Sequence, residues 1–155
     1  VLTEPGEDPD DIRQAIHIAH AEGFSVMAHA NGAETVIAAC EEKVDSIEHG
    51  AYLNEEALCA MAEAGTVWVP TLSTIGNLRG KGRFREEEVE KILESAMKNV
   101  RRFAALGGLI APGTDAGAWA VPHGSLTEYA LLLEALGEDT DALLEKGITV
   151  IREKF

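Results

Sequence analysis

Short apolar runs and longer mixed stretches of apolar and polar residues take turns along this chain, and their alternation predicts its elements. After the turn-rich TEPGEDPDD, residues 10–22 read as a helix with an acidic start and Gly23 behind it. FSVMAHA (24–30) reads as a strand that ends near His29 and turns at Asn31-Gly32, and GAETVIAACEEK as a helix. VDSIEHG (44–50) is a short strand, followed by the helix NEEALCAMAEAG with Asn54 as its cap. TVWVPTLS (66–73) is the most strand-like stretch, rich in β-branched residues and Trp, with Pro70 suited to a strand's end. A loop, TIGNLRGKGRF, leads to a helix over about 86–106; GLIAPGTDAG (108–117) is the fourth strand. GSLTEYALLLEALG and DALLEKGITVIREKF are the closing helices.

Strand and helix alternate four times through connections too long for hairpins. That order calls for an α/β fold of parallel strands joined by right-handed helical crossovers. An open doubly wound sheet and part of a (β/α)8 barrel both satisfy it. A barrel needs about 250 residues; with 155 residues and four strands, half a barrel is what the count permits. No linker or low-complexity tract divides residues 1–155, which read as one domain. A half-barrel would leave two open edges, those of FSVMAHA and GLIAPGTD, and would favour self-association or pairing with the missing half.

Charge narrows the partners. Thirteen Lys and Arg against 27 Asp and Glu leave a net charge of −14, which repels nucleic acids and anionic membranes. A small substrate or a metal cation remains compatible. Cys40 and Cys59 stand apart in Ala-rich helical surroundings, without CxxC spacing, and read as small buried thiols. No signal peptide or membrane-spanning apolar run is evident, so a cytoplasmic location is expected.

The candidate chemistry sits at the strand ends. In parallel α/β folds the functional groups collect at the carboxyl ends of the strands. His29, His49 and Asp115 stand there on the first, second and fourth strands, each with Gly within three residues. Imidazoles and a carboxylate together suit a divalent metal, Zn²⁺ best. A carboxylate beside a metal-activated water can also take its proton, so Asp115 can serve as ligand and general base.

MAHANGAETVIAACEEKVDSIEHG, then VWVPTL, then APGTDAG with PHGSLTEYALL beyond it, resembles the amidohydrolase superfamily over nearly the whole chain. The likeness is to its imidazolonepropionase-like and Xaa-Pro dipeptidase-like branch. It implies the carboxyl-terminal half of a (β/α)8 TIM barrel, strands five to eight. It also implies a metal-dependent hydrolase of C–N bonds in amides, cyclic amides or peptide-like substrates. On this resemblance His29 and His49 are the histidines of the fifth and sixth strands, serving as metal ligands or substrate contacts. Asp115 is the aspartate of the eighth, ligand and catalytic base, and His49 helps to stabilise the developing oxyanion. His123 in PHGS matches a recurrent HG and would line the pocket. Asn31 stands where relatives that cleave acyl-proline peptides often carry Tyr, and would face the substrate. Trp119, in the loop beyond Asp115, would form a pocket wall, while Trp68 would pack in the core.

The departures are equally informative. The family's first-strand HxH motif and its bridging Lys are not in this chain, and VLTEPGEDPDD resembles the loop leaving a missing fourth strand. LLEKGITVIREKF resembles a branch that stops here without a following β-domain. The chain alone is therefore expected to be inactive, as a homo-oligomer or awaiting its amino-terminal half. A non-catalytic truncated module and a small-molecule-binding α/β domain are the competing functions, although no Gly-rich phosphate loop supports nucleotides. His17 and His20 form an HxxH that reads as a solvated or packed helix face, with metal binding as the alternative; REEEVEK reads as a solvated charged face, and LRGKGRF as a mobile surface loop, with a lid or an anion contact as the alternative.

Overall fold

Strands and helices alternate in the computed structural model, which describes residues 6–117 and 120–155. In order they are α1 (Pro9–Ala21), β1 (Met27–Gly32), α2 (Ala33–Glu41), β2 (Ser46–Tyr52), α3 (Glu55–Ala64), β3 (Val67–Val69), α4 (Leu72–Gly76), α5 (Glu86–Ala105), β4 (Leu109–Ile110), α6 (Thr127–Leu136) and α7 (Thr140–Lys154). The strands form one parallel sheet in the order β1-β2-β3-β4. The expected α/β class of four parallel strands alternating with helices is what the chain adopts.

Local chemistry sets the helix ends. Asn54 caps α3 by accepting from the Ala57 N–H at 2.9 Å, and Gly65 closes it in the left-handed conformation. Val89, Leu93, Ala96, Met97, Val100 and Phe103 recur at helical spacing on α5 and make its buried stripe.

Side chains alternate across the sheet and divide the core in two. Ile47, Trp68 and Ile110 belong to the large cluster shared with the helices, where Trp68 meets Phe103 edge-on at 5.6 Å. Val67, Val69 and Ala111 form a smaller cluster with Ile148 and Ile151 of α7. Gly147 lets α7 pack directly on the Ile110 carbonyl, where no side chain would fit. α7 thus packs over β4, where an open edge was expected; Phe24, before β1, and Met27, at its start, remain exposed.

Other boundaries moved for identifiable reasons. β1 starts at Met27 rather than Phe24, because Ser25 bonds the Lys154 carbonyl and the Val26 N–H bonds the Asp45 carboxylate. It continues beyond His29 to Gly32, with a register irregularity after Ala30. β3 stops at Val69, since Pro70 has no N–H for the ladder and Thr71 turns left-handed into α4. The start of the expected loop is therefore helical. Cys40 is buried as expected, whereas Cys59 is only half-buried on α3.

Candidate active site

His29 on β1, His49 on β2 and Asp115 beyond β4 line one cavity of about 300 Å³ at the carboxyl rim of the sheet. The two imidazoles lie edge to face, their ring centres 4.4 Å apart. Asn31 lines the same cavity and ties β1 to β2 by accepting from the Ala51 N–H at 3.2 Å. Ile75, Leu78 and Ile92 give it one apolar wall.

The backbone beneath these groups is unusual. Four non-glycine residues among those described have a positive φ, and three of them line the cavity: His49 (φ 76°), Thr71 (φ 46°) and Asp115 (φ 50°). Such a conformation costs roughly 1–2 kcal/mol for an L-residue, so surrounding contacts must impose it. At His49 they are visible. Its carbonyl accepts from the Trp68 indole at 2.8 Å, and its Nδ1 meets Thr71 Oγ1 at 2.7 Å. Gly50 follows at φ 72°, where a Cβ would lie 2.8 Å from the Trp68 indole nitrogen. The pair His49-Gly50 is thereby fixed by the core beneath it. At the other side, Ser73 Oγ donates to the Thr114 carbonyl at 3.1 Å, fastening the residue before Asp115 to the start of α4.

Burial pushes the His49 imidazole below its ordinary value of 6.5; His29 adds to this effect, and Asp115 opposes it. His49 is therefore neutral at pH 7, with Nδ1 engaged and Nε2 left for chemistry. Glu48, half-buried, is raised by burial, against a 2.8 Å bond from Ser46 Oγ, and by the charge of Asp115. The rim gathers groups whose charged forms are costly. Perturbed groups of this kind concentrate at functional sites.

The remaining sequence candidates fall elsewhere. His123 is not among the residues lining the cavity; its ring sits about 3.5 Å from where a Cβ on Gly117 would lie. Trp119 lies outside the described residues. His17 is exposed beside Glu42, and His20 bonds Asp45 at the opposite rim, so HxxH belongs to helix-face contacts. None of the cations of LRGKGRF is among the residues lining the cavity, and Arg79 pairs with Glu90. Sequence pattern alone does not single out Thr71 or Glu48. The signal for Thr71 was its place directly after Pro70, where a strand must end.

Two imidazoles and a carboxylate are the right donors for a borderline divalent cation. Thr71 on Nδ1 is the outer-shell partner that orients a ligating histidine. Among the described residues, however, no three His, Cys, Asp or Glu side chains close on one point. The set fits in kind but does not close into a three-donor group.

No known family profile matches the chain. An uncharacterized protein of Mycobacterium tuberculosis is 29% identical over 134 residues, 83% of this chain and 36% of that protein. The ochratoxinase of Aspergillus niger is 29% identical over 112 residues, 69% of this chain and 23% of the enzyme. Among solved structures, a Xaa-Pro dipeptidase with methionine bound in its active site superposes with a TM-score of 0.79 at 26% identity. That match covers 98% of this chain and 40% of the dipeptidase. The chain thus spans only about a quarter to a third of its curated relatives' length. These neighbours bear out the resemblance to the amidohydrolase superfamily and to its barrel, matched over part of its length.

Proposed function

From this kinship with the amidohydrolase superfamily, we propose that the cavity is the carboxyl-terminal share of a hydrolytic site for C–N bonds in small amide or peptide-like substrates. The observation that carries the reading is the convergence of His29, His49 and Asp115 on one cavity, two of them on left-handed backbone. Strain of that kind persists where geometry matters more than stability.

His29 and His49, with Asp115, are the residues that would hold a divalent cation, Zn²⁺ by their chemistry; further ligands would come from an amino-terminal half. Such a cation lowers the pKa of a water and polarises a carbonyl. Asp115 accepts the proton of the attacking water and returns it to the leaving nitrogen. Thr71 holds His49 Nδ1 and so fixes which tautomer Nε2 presents: a lone pair toward a cation, or an N–H toward the developing oxyanion. Asn31 and the apolar wall of Ile75, Leu78 and Ile92 orient the substrate, and the substrate-binding roles expected of His123 and Trp119 belong to the same proposal. The single-domain reading of residues 1–155, a cytoplasmic location, and self-association or pairing with the missing half belong to the same proposal. No described helix is long and apolar enough to cross a membrane.

The test is an amide-hydrolysis assay, with N-acyl amino acids and added Zn²⁺, on this chain alone and on the chain joined to an amino-terminal half-barrel bearing HxH. Turnover in the joined protein only, abolished by H49A, is the expected result. Undiminished turnover in H49A, or none in the joined and folded protein, overturns the proposal.

A further inference from the structure

Glu128 lies on α6, is 1% exposed, and is not among the residues lining the cavity. Its Oε2 accepts from the Ser73 N–H at 2.6 Å, a contact 55 residues distant in sequence, and its Oε1 has no hydrogen-bond partner. A carboxyl group so deeply buried is costly unless something requires it. α6 comes this close because Gly76 on α4 carries no side chain where Leu131 packs.

The N-terminus of α4 explains the need. The residue preceding a helix ordinarily has extended backbone and offers its own side chain to the first free N–H groups. Thr71 holds that place, yet its backbone is left-handed and its side chain makes no cap bond. Its hydroxyl is given to His49 Nδ1 instead. Glu128 supplies the acceptor that Thr71 withholds. Ser73, whose N–H donates this bond, spends its hydroxyl on the carbonyl of Thr114, next to Asp115. One buried carboxyl thus stands behind both His49 and Asp115.

We propose that Glu128 is a positioning residue of the site: by capping α4 at Ser73 in place of Thr71, it frees the Thr71 hydroxyl to orient His49 and anchors the strand end that carries Asp115. Burial pushes its carboxyl up to about 7, against the opposing pull of the Ser73 and Leu72 N–H groups and the Ser73 side chain. The significance of this arrangement rests on His49 being a site residue, but its test reads His49 itself and needs no turnover.

The experiment records the imidazole ¹⁵N resonances of His49 and the amide exchange of Ser73 in the full 155-residue chain. In E128M, which fills the volume without an acceptor, Ser73 exchange should accelerate at least tenfold and the His49 ring resonances should move. E128Q, which keeps an amide oxygen for the Ser73 N–H, should restore both. T71V should move the His49 resonances to a similar extent while Ser73 exchange stays slow. Should E128M not fold, E128D, one methylene too short to reach, carries the same expectation. Unmoved His49 resonances in folded E128M or E128D, or movement in E128Q equal to that in E128M, overturns the positioning role, while the hydrolase reading would stand or fall separately on its own assay.

Discussion

The two rims of the sheet are built on opposite principles. At the amino rim Asp45, just before β2, meets the Lys154 ammonium at 2.5 Å, the His20 ring at 3.0 Å and the Val26 N–H at 2.8 Å. Those three bonds join α7, α1 and the residue just before β1, and they leave the carboxylate well satisfied. At the carboxyl rim, His49, Thr71 and Asp115 sit on left-handed backbone and Glu128 keeps an unpartnered oxygen. One rim spends its polar groups on holding elements together; the other holds polar groups in costly states around a cavity. In parallel α/β barrels the first pattern marks stability and the second marks function.

That contrast predicts which substitutions harm what. In a complete enzyme, D115N should lower turnover by at least ~10²-fold, as loss of a general base does, with a melting temperature near that of the parent. A variant with near-normal turnover would break the contrast, because the strained rim would then lack its chemical purpose.

The rims should also answer acid in opposite senses. Glu128 has its carboxyl raised from 4.5 to about 7, so the folded chain holds the extra proton and gains stability as pH falls through that window. E128Q removes the effect. Its stability relative to the parent should rise between pH 4.5 and 7, by on the order of 2–3 kcal/mol, in denaturant titrations at several pH values. Asp45 behaves in reverse. Burial would raise its carboxyl, but Lys154, the Val26 N–H and His20 hold it below its ordinary 3.8. Its contribution is present above that value and lost as pH falls further. D45N should therefore flatten the acid limb below about pH 4 without altering the slope between 4.5 and 7.

Smaller effects follow. D45A should cost about 2 kcal/mol, less than the 3–5 of a fully buried pair because Lys154 and His20 are about one-third exposed. Turnover per folded molecule should not change. D115G should gain up to about 1 kcal/mol by relieving the left-handed backbone while removing the carboxylate. Equal destabilisation by D45A and D115G would erase the distinction between the rims.

The same contrast explains what could be read from the sequence. Helices and the parallel order follow from local periodicity and caps, as in the Asn54 start of α3 and the α5 stripe. His29, His49 and Asp115 stood out because each is a polar group after an apolar run with a Gly close behind. Glu128 and Thr71 did not, because their roles are set by contacts 55 and 22 residues away. Sequence pattern overextends β4 for a related reason: only Leu109 and Ile110 pair, and the rest of the apolar run bends into the loop that carries Asp115. The packing of α7 over β4 depends on Gly147 meeting a carbonyl that no local pattern reveals.

The central claim is that His29, His49 and Asp115 act as one site, and a Zn²⁺ titration followed by the histidine ring resonances tests it most directly. Among the five histidines, His29 and His49 should shift together along one binding curve, and D115A should weaken the response of both. A response confined to His17 and His20, or one in which His29 and His49 move independently and ignore D115A, would contradict it.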